Sequence, residues 1–96
     1  MSVTVIIEFE AKPEATNQMK EMLKELQDTR AFDGCQHIDV YNNVDKDGDM
    51  VLVEKWDSRK HKEKYLAWRT ETGILDKLME MIVGEPSIRY FEKLDL

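Results

Sequence analysis

The side chains best suited to chemistry in this chain fall into three short groups. His61, Tyr65, Trp68 and Thr72 recur at i, i+4, i+7 and i+11, which puts them on one face of a helix. A histidine there is the natural general base, because its ordinary pKa lies near neutrality. Tyr65 and Trp68 would then wall a pocket beside it. The same spacing also describes an amphipathic helix packed on a sheet, with Leu66 and Ala67 alongside. His37, Asp39 and Tyr41 alternate at strand spacing. Polar groups turned into an apolar face demand partners. They form either a hydrogen-bonded interface, with Arg89 within reach, or a pocket base held by a carboxylate. Leu52, Glu54 and Trp56 share a face of another strand. Trp56 suits a filled core or a ligand-stacking wall, and Glu54 between two apolar neighbours calls for a cation, with Arg89 and Arg69 the candidates.

Other chemistries lack their signatures. The two histidines and the carboxylates match no metal-ligand spacing, so no metal is expected. Neither a glycine-rich phosphate loop nor a nucleophile elbow is present.

The elements that must position these groups follow from periodicity. Val3–Glu10 is β-branched and alternating, a strand with Val3, Val5, Ile7 and Phe9 on one face. Pro13 with Glu14 opens a helix over Ala15–Thr29, whose apolar stripe is Met19, Met22, Leu23 and Leu26. Asp33-Gly34 is a turn, and Gln36–Asn43 is a strand with Ile38 and Val40 opposite His37, Asp39 and Tyr41. A polar loop containing Asp47-Gly48 leads to a third strand, Asp49–Trp56, apolar on both faces. Ser58 caps a helix running to Thr72, Gly73 ends it, and Ile74–Val83 continues helical through Leu75, Leu78, Met79 and Ile82. Gly84-Glu85-Pro86 breaks that segment before a last strand, Ser87–Leu94.

The order strand–helix–strand–strand–helix–strand is the split βαβ pattern of an α+β, ferredoxin-like domain. It is a four-stranded antiparallel sheet with helices on one face. Four strands of about five residues leave a bare face of roughly 300 Å², near the limit for a monomer surface. That face is expected to present Trp56, Leu52 and Tyr41. Stacking two such sheets into a homodimer would cover it and enclose a cavity.

Composition narrows the partners. Ninety-six residues make a single domain, 1–96, with a modest core. A net charge of −6 disfavours phosphate backbones and anionic lipid, so neither nucleic acid nor membrane is expected as a partner. The single cysteine, Cys35, has no intramolecular disulfide partner and suits a reducing cytoplasm. Met1 leads straight into a strand-like run, so a signal peptide is not expected.

Taken together, Asp33-Gly34-Cys35 before the second strand and Val53-Glu54-Lys55-Trp56-Asp57-Ser58 before the second helix resemble the antibiotic biosynthesis monooxygenase family. Tyr65-Leu66-Ala67-Trp68-Arg69, continuing to Gly73, is similar to its quinol-monooxygenase branch. The resemblance spans roughly Val3 to Leu94. It implies a dimeric α/β barrel and oxygenation of a quinol-like or polycyclic aromatic, without metal or flavin, in a pocket between sheet and helices. His61, His37 and Tyr65 are then the candidate catalytic residues. Trp56, Trp68, Tyr41, Leu52 and Glu54 are the candidate substrate contacts. Two positions depart from the family pattern: Tyr65 stands where quinol-oxidising relatives carry histidine, and Leu52 where polyketide-oxidising relatives carry asparagine. Haem-degrading relatives carry iron-site residues where this chain has Ile6 and Leu75. With the same cavity, a non-catalytic binder of small aromatics or a purely structural dimer are the alternatives.

Overall fold

A computed structural model describes residues 2–24 and 27–96. The chain forms β1 (Val3–Glu10), a 3-10 turn (Pro13–Ala15), α1 (Thr16–Lys24), α2 (Gln27–Arg30), β2 (Cys35–Asn42), β3 (Asp49–Trp56), α3 (Arg59–Thr72), α4 (Ile74–Glu80) and β4 (Ser87–Phe91). The four strands make one antiparallel sheet in the order β2-β3-β1-β4. This is the ferredoxin-like arrangement read from the sequence. The helix expected over Ala15–Thr29 is described in two pieces, α1 and α2, and Leu26 of its stripe and Glu25 lie outside the described residues. The helical segment after Gly73 stops at Glu80, three residues short of expectation.

Local chemistry sets the boundaries. Pro13 opens the 3-10 turn, where its missing N–H costs nothing. The Ser58 hydroxyl caps α3 by accepting from the His61 backbone N–H at 3.2 Å. Gly73, at φ 79°, closes α3 in the left-handed conformation that a Cβ disfavours.

Strand register corrects one expectation. Directly paired residues point to the same face of a sheet, and Trp56 pairs with Cys35 and Val3, Glu54 with Ile38 and Val5, Leu52 with Val40 and Ile7. These residues share the face that carries the helices, and Trp56, Glu54, Leu52, Ile38 and Val5 are buried there. Tyr41 pairs with Val51 and His37 with Lys55, so they stand on the other face with Asp39, Val53, Ile6 and Arg89. Tyr41 therefore cannot share a face with Trp56 and Leu52, and the bare face presents neither of the latter. A bulge between Cys35 and His37 makes the local phase change in β2.

The core has two parts. At one end Ala11, Ala15, Met19, Met50, Met81 and Ile82 pack together. At the other, Val5, Trp56 and Tyr65 gather Phe32, Leu66 and Trp68 around them. The space between the two parts is not filled.

Candidate functional site

That space is a cavity of about 250 Å³ between the sheet and the helices. Ile7, Phe9 and Leu52 form its floor on the sheet. Met19 and Leu23 of α1, Tyr65 and Leu66 of α3 and Leu75, Leu78 and Met79 of α4 form its walls. Its mouth lies where α4 meets β4. There Met79 and Ile88 line the cavity and are also exposed, at 43% and 39%.

The closed end is charged. Glu54 and Lys62 both line it and are 2% and 1% exposed. Lys62 Nζ donates to Glu54 Oε1 at 2.7 Å, and Trp56 Nε1 donates to the same oxygen at 2.8 Å. Lys62 Nζ also sits 4.8 Å from the Tyr65 ring centre and 5.3 Å from that of Trp56, facing the negative ring faces. The predicted partners of Glu54 go elsewhere. Arg89 Nη2 bonds Glu8 on the far face of the sheet at 2.7 Å. Arg69 Nε donates to the Tyr65 hydroxyl at 2.8 Å and its Nη2 to Thr29 Oγ1 at 2.9 Å. The Tyr65 and Thr29 hydroxyls are themselves 2.6 Å apart, which closes a three-residue ring of hydrogen bonds at the cavity wall.

Behind this end stands an aromatic cluster. Phe32 stacks on Trp68 with centroids 5.4 Å apart and meets Tyr65 edge-on at 5.2 Å. Trp56 lies 5.2 Å from Tyr65. The two tryptophans thus pack beside the cavity rather than inside it, which leaves the space open.

The sequence candidates divide accordingly. Tyr65, Leu52 and Glu54 line the cavity, while Trp56 and Trp68 support it from behind. His61 sits outside the wall. Its Nδ1 is 2.7 Å from Ser58 Oγ, its Nε2 is 3.8 Å from Asp33 Oδ2, and its ring covers Gly34. His37 and Tyr41 are separated from the cavity by the sheet itself, with His37 Nε2 2.8 Å from Asp39 Oδ2 and Tyr41 57% exposed. None of these three lines this cavity. The face of α3 that turns inward is Lys62, Tyr65, Leu66 and Arg69, one residue out of phase with the His61–Tyr65–Trp68–Thr72 reading. Lys62, Thr29, Arg69 and Phe32 were not singled out as site residues by sequence. The only signal for Lys62 was its i, i+3, i+4 spacing with Tyr65 and Leu66.

Burial also acts on Cys35. Desolvation, then the nearby Glu54 carboxylate, pushes its thiol above the usual cysteine range. Among the described residues, no three His, Cys, Asp or Glu side chains gather as a metal site, and no helix is long and apolar enough to cross a membrane.

A ferredoxin-like sheet with an apolar, ligand-sized cavity between it and its helices defines the class of α+β domain. Residues 2–75 match the model of the antibiotic biosynthesis monooxygenase family, and the chain belongs to that family. A Mycobacterium tuberculosis protein named "Putative monooxygenase Rv0793" is 35% identical over 80 residues, covering 76% of this chain and 78% of its own. Its solved structure superposes with a TM-score of 0.75 at 28% identity, covering 100% of this chain and 98% of that one. A conserved protein of Methanosarcina mazei has the same fold at TM-score 0.87 and 20% identity, over 98% of this chain and 94% of its own. SnoaB of Streptomyces nogalater, a cofactor-independent oxygenase, shares the fold at TM-score 0.83 and 14% identity, over 99% and 95% of the two chains. The family match stops at Leu75, so the mouth of the cavity, built from Met79, Pro86 and Ile88, lies beyond it.

Proposed function

We propose that this protein is a cofactor-independent monooxygenase that oxidises a quinol-like hydroxyarene in the cavity between sheet and helices, working as a cytoplasmic homodimer. The observation that carries the reading is an open, apolar cavity closed at one end by a buried carboxylate–ammonium pair. Apolar walls hold the ring system, and the polar end fixes the one hydroxyl group. SnoaB, with the same fold, is a cofactor-independent oxygenase.

The chemistry balances on substrate electrons. A two-ring phenol carries an acidic hydroxyl and a hydrogen on the ring carbon para to it. Loss of a proton gives an anion that passes electrons to oxygen. One oxygen atom ends as C=O at that ring carbon, and the other leaves as water with the hydroxyl and ring hydrogens, so no outside reductant is consumed. The protein's task is to enclose the ring, orient it and stabilise the anion. In this reading Tyr65, held by Thr29 and Arg69, presents its hydroxyl at the wall, while Leu52 and Leu66 grip the ring faces. His61 and His37 take no part.

The dimer covers the open sheet face, where Ile6, Val51 and Val53 are only half-buried within one chain and Phe91 and Tyr41 are exposed. Oxygen uptake by metal-stripped protein with a panel of hydroquinones and naphthols, against a no-protein autoxidation control, tests the activity. Saturable uptake above the control is the expected result. No uptake from ligands that raise the melting temperature would replace the enzyme with a binder using the same cavity.

A further inference from the structure

The geometry points to Glu54 as the residue that makes this cavity selective for a hydroxyl group, so that it takes the reduced hydroxyarene and disfavours the corresponding quinone or ether. The argument counts hydrogen-bonding positions. Both donors that reach Glu54, from Lys62 and Trp56, land on Oε1. Oε2 has no partner among the described residues. Yet no fully buried side-chain oxygen or nitrogen is left unpaired there. Oε2 therefore keeps a sliver of accessible surface, and Glu54 lines the cavity. It stands as a bare anionic acceptor at the closed end of an apolar pocket.

An acceptor in that position needs a donor. A ligand hydroxyl supplies one and forms a charge-assisted bond. A carbonyl or an ether oxygen cannot, and it brings a second lone pair against the carboxylate. Sites built to bond a hydroxyl reject analogues without it strongly, because the buried polar group is left unpaired. Lys62 does not reverse this preference. One of its protons is held by Glu54, and its charge lies over the Tyr65 and Trp56 rings.

Cavity size sets the rest of the class. An apolar cavity of roughly 150 Å³ admits benzene, so about 250 Å³ admits one or two fused rings rather than a larger polycycle. The inference deepens the oxygenase reading and rests on it for biological meaning. There it has a consequence, since the quinone product is a poorer ligand than its precursor and leaves.

Equilibrium binding without oxygen tests selectivity separately from turnover. The probes are 1-naphthol, 1-methoxynaphthalene and 1,4-naphthoquinone, measured anaerobically by calorimetry. The wild-type protein is expected to bind naphthol at least tenfold more tightly than the other two, the size of one hydrogen bond to a charged group. Glu54→Gln is expected to invert the order. Its amide oxygen must take the place of Oε1 to satisfy Trp56 and Lys62, which turns the amide NH2 into the cavity as a donor for the quinone carbonyl. Equal binding of all three probes, or no naphthol binding at millimolar concentration, overturns the proposal. So does a folded Glu54→Gln that keeps the wild-type order. If that variant does not fold, the wild-type series decides alone. Selective binding with no oxygen uptake would sink the oxygenase reading and leave this one standing.

Discussion

Replacing Lys62 by methionine should reveal how the closed end of the cavity is held together. The two charges sit 2.7 Å apart, both almost wholly buried. At an effective dielectric of about 20 that separation is worth roughly 6 kcal/mol of attraction, most of it offset by taking both ions out of water. The pair as a whole is therefore close to neutral, but either half alone is not. Lys62→Met leaves the Glu54 carboxylate with only the Trp56 N–H, and breaking a buried pair this way costs about 3–5 kcal/mol. The double variant Glu54→Gln/Lys62→Met removes both charges. Methionine fills the volume of the lysine stem, and the glutamine oxygen still accepts from Trp56. That variant should fall within about 1 kcal/mol of the parent, recovering roughly 2–4 kcal/mol of what Lys62→Met loses. Urea unfolding followed by tryptophan fluorescence, at fixed protein concentration so that dimerisation does not intrude, reads this directly. With a slope of about 1.5 kcal/mol per molar, Lys62→Met should lower the midpoint by roughly 2 M or more and the double variant by under about 0.7 M. If Lys62→Met shifts the midpoint by less than about 0.5 M, or if the two substitutions simply add, the two residues are not an isolated buried pair and the site drawn from them is wrong.

Three other outcomes follow from single features. Gly34 has φ 88°, and a Cβ there would lie 2.4 Å from the His61 ring. Gly34→Ala should therefore cost about 1–3 kcal/mol from backbone strain plus overpacking, and adding His61→Ala should recover only the packing part in the same urea assay. Cys35, its thiol raised by burial and then by Glu54, should alkylate with iodoacetamide more slowly than a free cysteine at pH 8. Its reaction should speed up only at higher pH, and a rate equal to free cysteine at pH 8 would contradict the burial of the thiol, and with it the nearby Glu54. Val53→Asp puts a charge on the open sheet face and should convert a dimer to a monomer by light scattering, whereas a parent protein that is already monomeric at micromolar concentration would remove the dimer from the proposal.

How much of this was legible beforehand varies by level. Strand and helix periods, the Ser58 cap and the Gly73 stop are local properties, and they yielded the element order and most boundaries. The grouping of Leu52, Glu54 and Trp56 on one face of β3, and of His37, Asp39 and Tyr41 on one face of β2, was equally local, because side chains alternate along any strand. The short motifs around Cys35 and Trp56 also carried the family resemblance. Which face lies against the helices was a different matter. Both faces of β3 are apolar, so nothing within that strand distinguishes them, and only the burial of Leu52, Glu54 and Trp56 under the helices settles the question. On α3, the readings His61–Tyr65–Trp68–Thr72 and Lys62–Tyr65–Leu66–Arg69 both contain Tyr65 and differ by one residue, about 100° of helix rotation. A lysine ordinarily belongs in water, so nothing local marks Lys62 for the inside. The tertiary fold chose the second because Glu54 lies where α3 crosses β3, and a buried carboxylate holds a cation that composition alone would send to the surface. Periodicity is written into neighbouring residues. Which charge meets which across elements exists only once the helix is docked.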